Sequence, residues 1–383
     1  FPFLQELQIK KSLLALAVLG AFAGTVSAQT NVTLYGIADV GIGMADTDAA
    51  GSDSAVNVFS GVQSSSRFGV RGSEDLGGGL KATFDIEAGV HRDTGAASSN
   101  SQFWGRRAVV GLAGGFGEVR LGRDYTPGYS AIGTTDVMGL GLFGNWLDFG
   151  SNGGITSRAS NGLHYTSPNW GGFTLRAMYA TGEANGVTAP KGDGDMVGLS
   201  GVYSGGPLTV QAYYQTSEFD NGAGGTANAD EYGIGAQYRF GAFRVALNYG
   251  MADTEVPAGG SIEHEALGLG LGVKLGKGEV MFNYIQQEVD LAGSPEAKSF
   301  GIAYVHPLSK RTNLYATYGQ LKNENGADFA AHSAVYTVAG FSASLALVVA
   351  YRAVAHVARA GQALLAPLLS VPCFLAVSAL LSR

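Results

Sequence analysis

The chain has 383 residues, 46% of them hydrophobic and only 14% charged, with 59 Gly, 10 Pro, one Cys and a net charge of −7. Charge lies well below the ~25% of ordinary soluble domains and Gly is about twice its usual ~7%, and because the Gly falls between and within alternating segments the composition reads as ordered β-structure rather than low-complexity disorder. The single Cys373 excludes a disulfide framework and a Cys-based zinc site, and the acidic balance argues against nucleic-acid binding.

The N-terminal segment reads as an export signal. Lys10-Lys11 precede the apolar run Leu13–Phe22, and Val26-Ser27-Ala28 gives a small-x-small cleavage site before Gln29. The run is too short to span a bilayer as a helix, so residues 1–28 are expected to end in a Sec signal peptide cleaved after Ala28. Residues 1–8 precede the basic region and read as translated upstream sequence.

From Val32 onward one unit recurs: an alternating stretch, a short Gly-rich turn, another alternating stretch, then a longer polar loop. In residues 79–90 (GLKATFDIEAGV), Leu80, Ala82, Phe84 and Ile86 oppose Lys81, Thr83, Asp85 and Glu87. This period of two predicts a strand with one apolar and one wet face. Residues 231–240, 243–252 and 266–275 repeat the pattern; in the last, Leu267, Leu269 and Leu271 oppose Gly268, Gly270 and Gly272. Each stretch lasts roughly 10 residues, enough for a tilted strand to cross a bilayer.

Short turns are predicted at Leu76–Gly79, Gly114–Gly117, Asn169–Gly172, Ser204–Pro207, Gly241–Ala242, Gly276–Gly278 and Pro307–Arg311. Longer polar connections lie at 45–58, 183–194, 218–229 and 323–331. Alternation alone does not say which face is inside, because a sandwich packs its apolar face and a membrane barrel turns it to lipid. Short turns on one side, long loops on the other, and aromatic strand ends (Tyr179, Tyr203, Tyr214, Phe240, Phe243, Tyr249) favour the barrel. The expected fold is therefore all-β: a 16-stranded antiparallel transmembrane β-barrel with short periplasmic turns and long external loops. An even count leaves no strand edge unpaired in lipid. Asp39, Lys81, Asp85 and Glu87 are then expected to face the lumen.

Residues 124–156 form the longest connection, beyond the usual length of a loop in a compact domain. Its apolar content, including Tyr125, Tyr129, Leu142, Phe143 and Trp146, argues that it packs against the barrel wall rather than forming a solvated tether. A lid over an enzyme site is the rival reading. No Gly-x-Ser-x-Gly elbow occurs, no His has a convincing Ser and acid partner in sequence, and no enzyme activity is expected.

Four stretches in order carry a family resemblance. They are Val32–Asp39 (VTLYGIAD), Ser66–Leu80 (SRFGVRGSEDLGGGL), Val110–Leu112 with Phe116–Arg123 (FGEVRLGR), and Arg158–Asn161 leading into Tyr165–Pro168. On these the chain resembles the general trimeric porins of Gram-negative outer membranes, in particular the betaproteobacterial branch. The resemblance implies a trimeric barrel whose third loop folds inward to narrow the lumen. It further implies a constriction between wall arginines Arg67, Arg123 and Arg158 and an acidic loop, whose carboxylates here are Asp136 and Asp148. Arg71 shares the parity of Arg67 and joins that wall. The implied function is passive diffusion of ions and small hydrophilic solutes, filtered by size and charge, with no cofactor or metal. The implied partners are two sister protomers, outer-membrane lipid and lipopolysaccharide, and the barrel-assembly machinery. A solute-specific channel and a secreted β-sheet adhesin are the alternatives.

Residues 29–352 are thus assigned to the barrel, with 343–352 (ASLALVVAYR) as the closing strand. Residues 353–383 form an apolar tail interrupted by Pro367 and Pro372, where relatives end on a terminal aromatic. A reading-frame change is the expected origin of that tail.

Overall fold

A computed structural model describes residues 31–47, 54–99, 101–149, 155–184, 186–187, 189–256, 259–326 and 334–350. The expected leader and the tail at 353–383 lie outside the described residues. The first wall strands are β1 (Asn31–Thr47), β2 (Ala55–Ser60), β3 (Arg67–Gly77), β4 (Leu80–Gly89), β5 (Arg107–Gly114) and β6 (Gly117–Tyr125). Two short helices follow, α1 (Pro127–Ile132) and α2 (Trp146–Phe149). The wall resumes with β7 (Arg158–Thr166), β8 (Phe173–Ala180), β9 (Met196–Gly205), β10 (Leu208–Asp220), β11 (Thr226–Phe240) and β12 (Phe243–Glu255). It ends with β13 (Ser261–Leu275), β14 (Gly278–Val289), β15 (Glu296–Pro307), β16 (Thr312–Glu324) and β17 (Ala334–Ala350).

From β3 onward each strand bonds antiparallel to the next, and β17 pairs with β1, so the sheet is closed. β1 spans two partners: Asn31–Ile37 pair with β3 and Val40–Ala45 with β2. β2 and β3 are therefore one stave broken at residues 61–66, and the 17 strands make a barrel of 16 staves. Closure leaves no open strand edge in the wall, the condition for standing in lipid. No described helix is long and apolar enough to cross a membrane, so crossing falls to strands.

Every short turn expected from the sequence joins two neighbouring strands. The closing strand is different: its pairing with β16 runs from Ala334 to Ala343, ahead of the expected 343–352. β17 runs Ala334–Ala350, so the expected stretch overlaps its later part while its first residues hold the register with β16.

The wet face is inside. Leu267, Leu269 and Leu271 are exposed on the outer surface, while Gly268 and Gly270 of the same strand face side chains within the barrel. Tyr179, Tyr203, Tyr214, Tyr238, Phe240 and Phe243 stand exposed near strand ends, the placing of an interfacial girdle. The packed core is not in the wall. It lies inside the barrel, where Ile132, Val137, Leu142 and Trp146 of the long connection meet Tyr213, Ala266, Ile285, Met281 and Tyr315 of β10 and β13–β16.

Candidate functional site: the lumen constriction

The connection from Thr126 to Ser157 is fastened at its neck. Thr126 caps α1, accepting from the Tyr129 N–H at 3.3 Å and donating its hydroxyl to the Thr156 carbonyl at 2.6 Å. The Glu231 carboxylate takes the Thr156 N–H and hydroxyl, each at 3.1 Å, and Gln215 bridges from Glu231 to the Gly128 N–H. Farther along, Thr135 donates to Asn248 Oδ1, Arg244 to the Val137 carbonyl and Asn283 to the Gly144 carbonyl. The tip reaches the broken stave, where Leu142 N–H donates to the Val62 carbonyl.

Close docking requires a wall without side chains. A Cβ on Gly268 would stand 2.8 Å from the Trp146 ring, and one on Gly270 would stand 2.7 Å from Val137. At Gly301 it would meet the Phe143 carbonyl oxygen at 2.5 Å and the Gly144 Cα at 2.7 Å. The tip itself bends through left-handed backbone at Leu140 (φ 56°) and Leu142 (φ 63°), a costly conformation for leucine held by the surrounding contacts.

Asp136 does not face the lumen as expected. It is 3% exposed, and its carboxylate accepts the Leu140 N–H at 2.7 Å, the Met138 N–H at 3.3 Å and Asn283 Nδ2 at 3.4 Å. Burial pushes its carboxyl up to about 6, against those N–H donors and Arg244, which pull it down. It folds the loop onto the wall, because its own following amides are the donors within reach. Asp148 lies in α2, and its side chain is outside the described residues.

Arginines occupy the opposite wall. Arg123 lies past a break in the β6–β7 register, where Gly122 has φ 124° and a Cβ would stand 2.1 Å from the Ala108 carbonyl oxygen. Arg123 donates to the Gly105 carbonyl at 2.7 Å and to Ser160 Oγ at 2.9 Å. Arg158 donates to the Arg106 carbonyl at 3.0 Å and the Tyr125 hydroxyl at 2.9 Å. Among the described residues neither has a carboxylate within ion-pair distance. Arg67 is held by the Ser65 carbonyl and Ser64 Oγ, with Glu87 at 3.9 Å.

The expected lumen carboxylates are engaged. Glu87 is buried against Arg106 at 2.6 Å, and Asp85 pairs with Arg107 at 2.9 Å while accepting from the Tyr35 hydroxyl. Lys81 stands exposed near the β3–β4 turn. Arg71 lies over the Tyr35 ring at 5.1 Å, in a recess of about 420 Å³ shared with Thr33, Asp85 and Arg120. Asp39 departs from expectation: it is fully buried beneath residues 61–66, bonded to the Ser64 N–H and the Tyr315 hydroxyl. It staples the broken stave and offers no charge to lumen water.

Sequence reading missed Arg106 and Arg107, whose adjacency at the start of β5 was the available signal, and it missed Arg176 and the role of Tyr125. Arg107 and Arg120 both close on the buried Asp124, at 2.8 and 3.0 Å. Among the described residues no group of His, Cys, Asp and Glu is arranged to hold a metal. What remains is a lumen with an arginine wall on one side and a docked loop on the other.

A closed antiparallel barrel narrowed by an inward-folded loop is the architecture of an outer-membrane pore. The Gram-negative porin family model matches residues 15–326, and the chain belongs to that family. It is 41% identical over 206 residues to outer membrane porin protein 32 of Delftia acidovorans, covering 52% of this chain and 58% of that one. The chain spans about half the length of the sequence relatives it matches. Its fold is similar to the anion-selective porin from Comamonas acidovorans, with TM-score 0.74, 30% identity, and coverage of 83% of this chain and 100% of that one. It also shares the fold of Vibrio cholerae OmpT in its trimer form, at TM-score 0.63 and 14% identity over 83% of this chain and 100% of that one. The family's homologues place it in the outer membrane.

Proposed function

We propose that the chain forms a water-filled diffusion channel for small hydrophilic solutes, with a constriction that favours anions. The observation that carries the reading is the imbalance across the lumen. Among the described residues Arg123 and Arg158 bond only to neutral partners, and Asp136 of the loop is buried against its own amides. Guanidinium remains charged at any working pH, so the field at the narrow point attracts anions and repels cations. Sixteen staves leave room for an aqueous path, and passage down a gradient needs no cofactor or energy source.

The channel is proposed to assemble as a trimer through β1–β5. Their outward residues are mostly small or aliphatic, including Leu34, Gly36, Ala38, Val70, Gly72 and Ala82 beside Phe68 and Phe84, and include no tyrosine. The outward faces of β8–β12 carry Tyr179, Tyr203, Tyr214, Tyr232 and Tyr238, the side suited to a lipid interface. The test is the reversal potential of purified channels in a planar bilayer under a salt gradient. The wild type should show anion preference, and Arg67→Ala, Arg123→Ala and Arg158→Ala together should widen the pore and shift selectivity toward cations. An unchanged reversal potential in the triple variant removes the constriction assignment.

A further inference from the structure

We infer that Tyr125 is the positioning residue of the constriction, holding Arg158 in the lumen beside Arg106. The inference rests on the arginine-set selectivity proposed above. One phenol oxygen receives two guanidiniums: Arg106 Nη2 donates to it at 2.8 Å and Arg158 Nη2 at 2.9 Å. Two like charges meeting at one point repel, and the two lone pairs of the hydroxyl are what keep them there. The ring does the rest. The Arg158 guanidinium carbon lies 4.3 Å from the Tyr125 ring centre and 5.9 Å from that of Tyr129, and Arg107 lies 5.3 Å from Tyr125. Such guanidinium–ring contacts are electrostatically attractive.

The platform is itself fixed. Tyr125 and Tyr129 stack with centroids 4.8 Å apart and planes within 2°. Tyr129 is placed by the Thr126 cap and by the buried Ala131 and Ile132 of α1. Arg106 has a second tether in Glu87 at 2.6 Å. Among the described residues Arg158 has no second charged tether: its remaining bonds go to the Arg106 carbonyl at 3.0 Å and to Ser157 Oγ at 3.4 Å. Its place in the lumen therefore depends on Tyr125 more than on any charged partner.

The same platform ties loop to wall. Tyr125 ends β6, Tyr129 belongs to the loop, and Arg158 opens β7. A change in Tyr125 thus reaches the selectivity of the pore without touching the glycine wall on which the rest of the loop is seated.

The test compares reversal potentials of wild type, Arg158→Ala, Tyr125→Phe, Tyr125→Leu and Arg158→Ala/Tyr125→Phe, each confirmed as a heat-modifiable assembled barrel. Tyr179→Phe, in the outer girdle, is the control and should match wild type. Arg158→Ala should lower the anion-over-cation permeability ratio about sevenfold, because one charge felt at roughly 7 Å through water shifts anion and cation by about RT in opposite directions. Tyr125→Phe, which keeps the ring but loses both hydrogen bonds, should lower it part of the way, and Tyr125→Leu as far as Arg158→Ala. In the Arg158→Ala background Tyr125→Phe should add nothing, an outcome that a merely structural tyrosine would not produce. Arg158→Ala with a wild-type ratio overturns the selectivity reading and this inference together. Arg158→Ala with the expected drop, beside Tyr125 variants that leave the ratio unchanged or shift it equally in both backgrounds, overturns the inference alone.

Discussion

Two walls of one barrel are built to opposite rules. The β3–β7 wall is crowded with arginines that bond to carbonyls, hydroxyls, rings and a few buried carboxylates. The wall formed by β11–β16 alternates packing side chains with glycines, Gly268, Gly270 and Gly301 admitting the loop to close contact and Asn248, Asn283 and Thr317 supplying neutral hydrogen bonds. In the proposed channel the first wall supplies the field and the second seats the obstruction. On that proposal, separating them lets the loop narrow the pore without burying the charges that would filter it. Acids that neutralise nothing in the lumen, Asp136 and Glu231, are spent on the loop's own amides and hydroxyls.

The largest expected effect comes from blocking the second wall. Gly301→Val places atoms against the Phe143 carbonyl and the Gly144 Cα, backbone that has no rotamer by which to yield. Overpacking of this kind costs roughly 1–3 kcal/mol, and the loop should lift because the strand ladder is the firmer partner. Single-channel conductance should rise and larger sugars should enter in liposome-swelling assays. Assembled channels with wild-type conductance and exclusion limit would show that the loop is not seated through this glycine.

A smaller effect is expected from the first wall. Glu87 neutralises Arg106 at 2.6 Å and stands 3.9 Å from Arg67. Glu87→Gln keeps the shape and removes the charge. It should cost roughly 1–3 kcal/mol of barrel stability, below the ~3–5 kcal/mol of a dry pair because water enters the lumen. It should also strengthen anion preference, since both arginines are then less compensated. Urea-midpoint shifts together with reversal potentials check both halves, and a shift toward cations would contradict the assigned polarity of this wall.

The two walls were not equally legible in sequence. The second was visible in outline: Gly268, Gly270 and Gly272 fall on one parity opposite three leucines, and the apolar loop announced that it must pack on something. The alternation of Leu80–Glu87 and the Gly-rich turns carried the strand order, because each is a local signal with a two-residue period. Only the later part of the closing strand was read, because its alternation is weak and its register is set by β16, a long-range partner. At the first wall Arg67, Arg123 and Arg158 came from motif resemblance, because strand parity alone does not single out which arginines approach the loop. Asp136 and Asp39 were misread for one physical reason. A carboxylate on the expected face can still turn to nearby N–H and O–H donors, and sequence alone does not show whether those donors or water will solvate it.

The smallest effect follows from that misreading. The buried Asp136 carboxyl titrates at about 6, whereas one released to water titrates near its ordinary 3.8. The docked loop therefore binds a proton more tightly than the released loop. The sign is fixed by linkage: docking is firmest when both states are protonated and weakens as pH rises through about 6, where the docked carboxyl must ionise in a buried place. Arg244 and the Leu140 and Met138 amides limit the loss without reversing it. Brief current substates from loop excursions should be rarer at about pH 5 than at about pH 7.5. Asp136→Asn cannot ionise, so its substate frequency should not change across that range, while Glu231 and Asp39 remain in both channels and cancel in the comparison. Substates that respond to pH equally in the two channels would assign the titration to another group and leave Asp136 a purely neutral fastener of the loop.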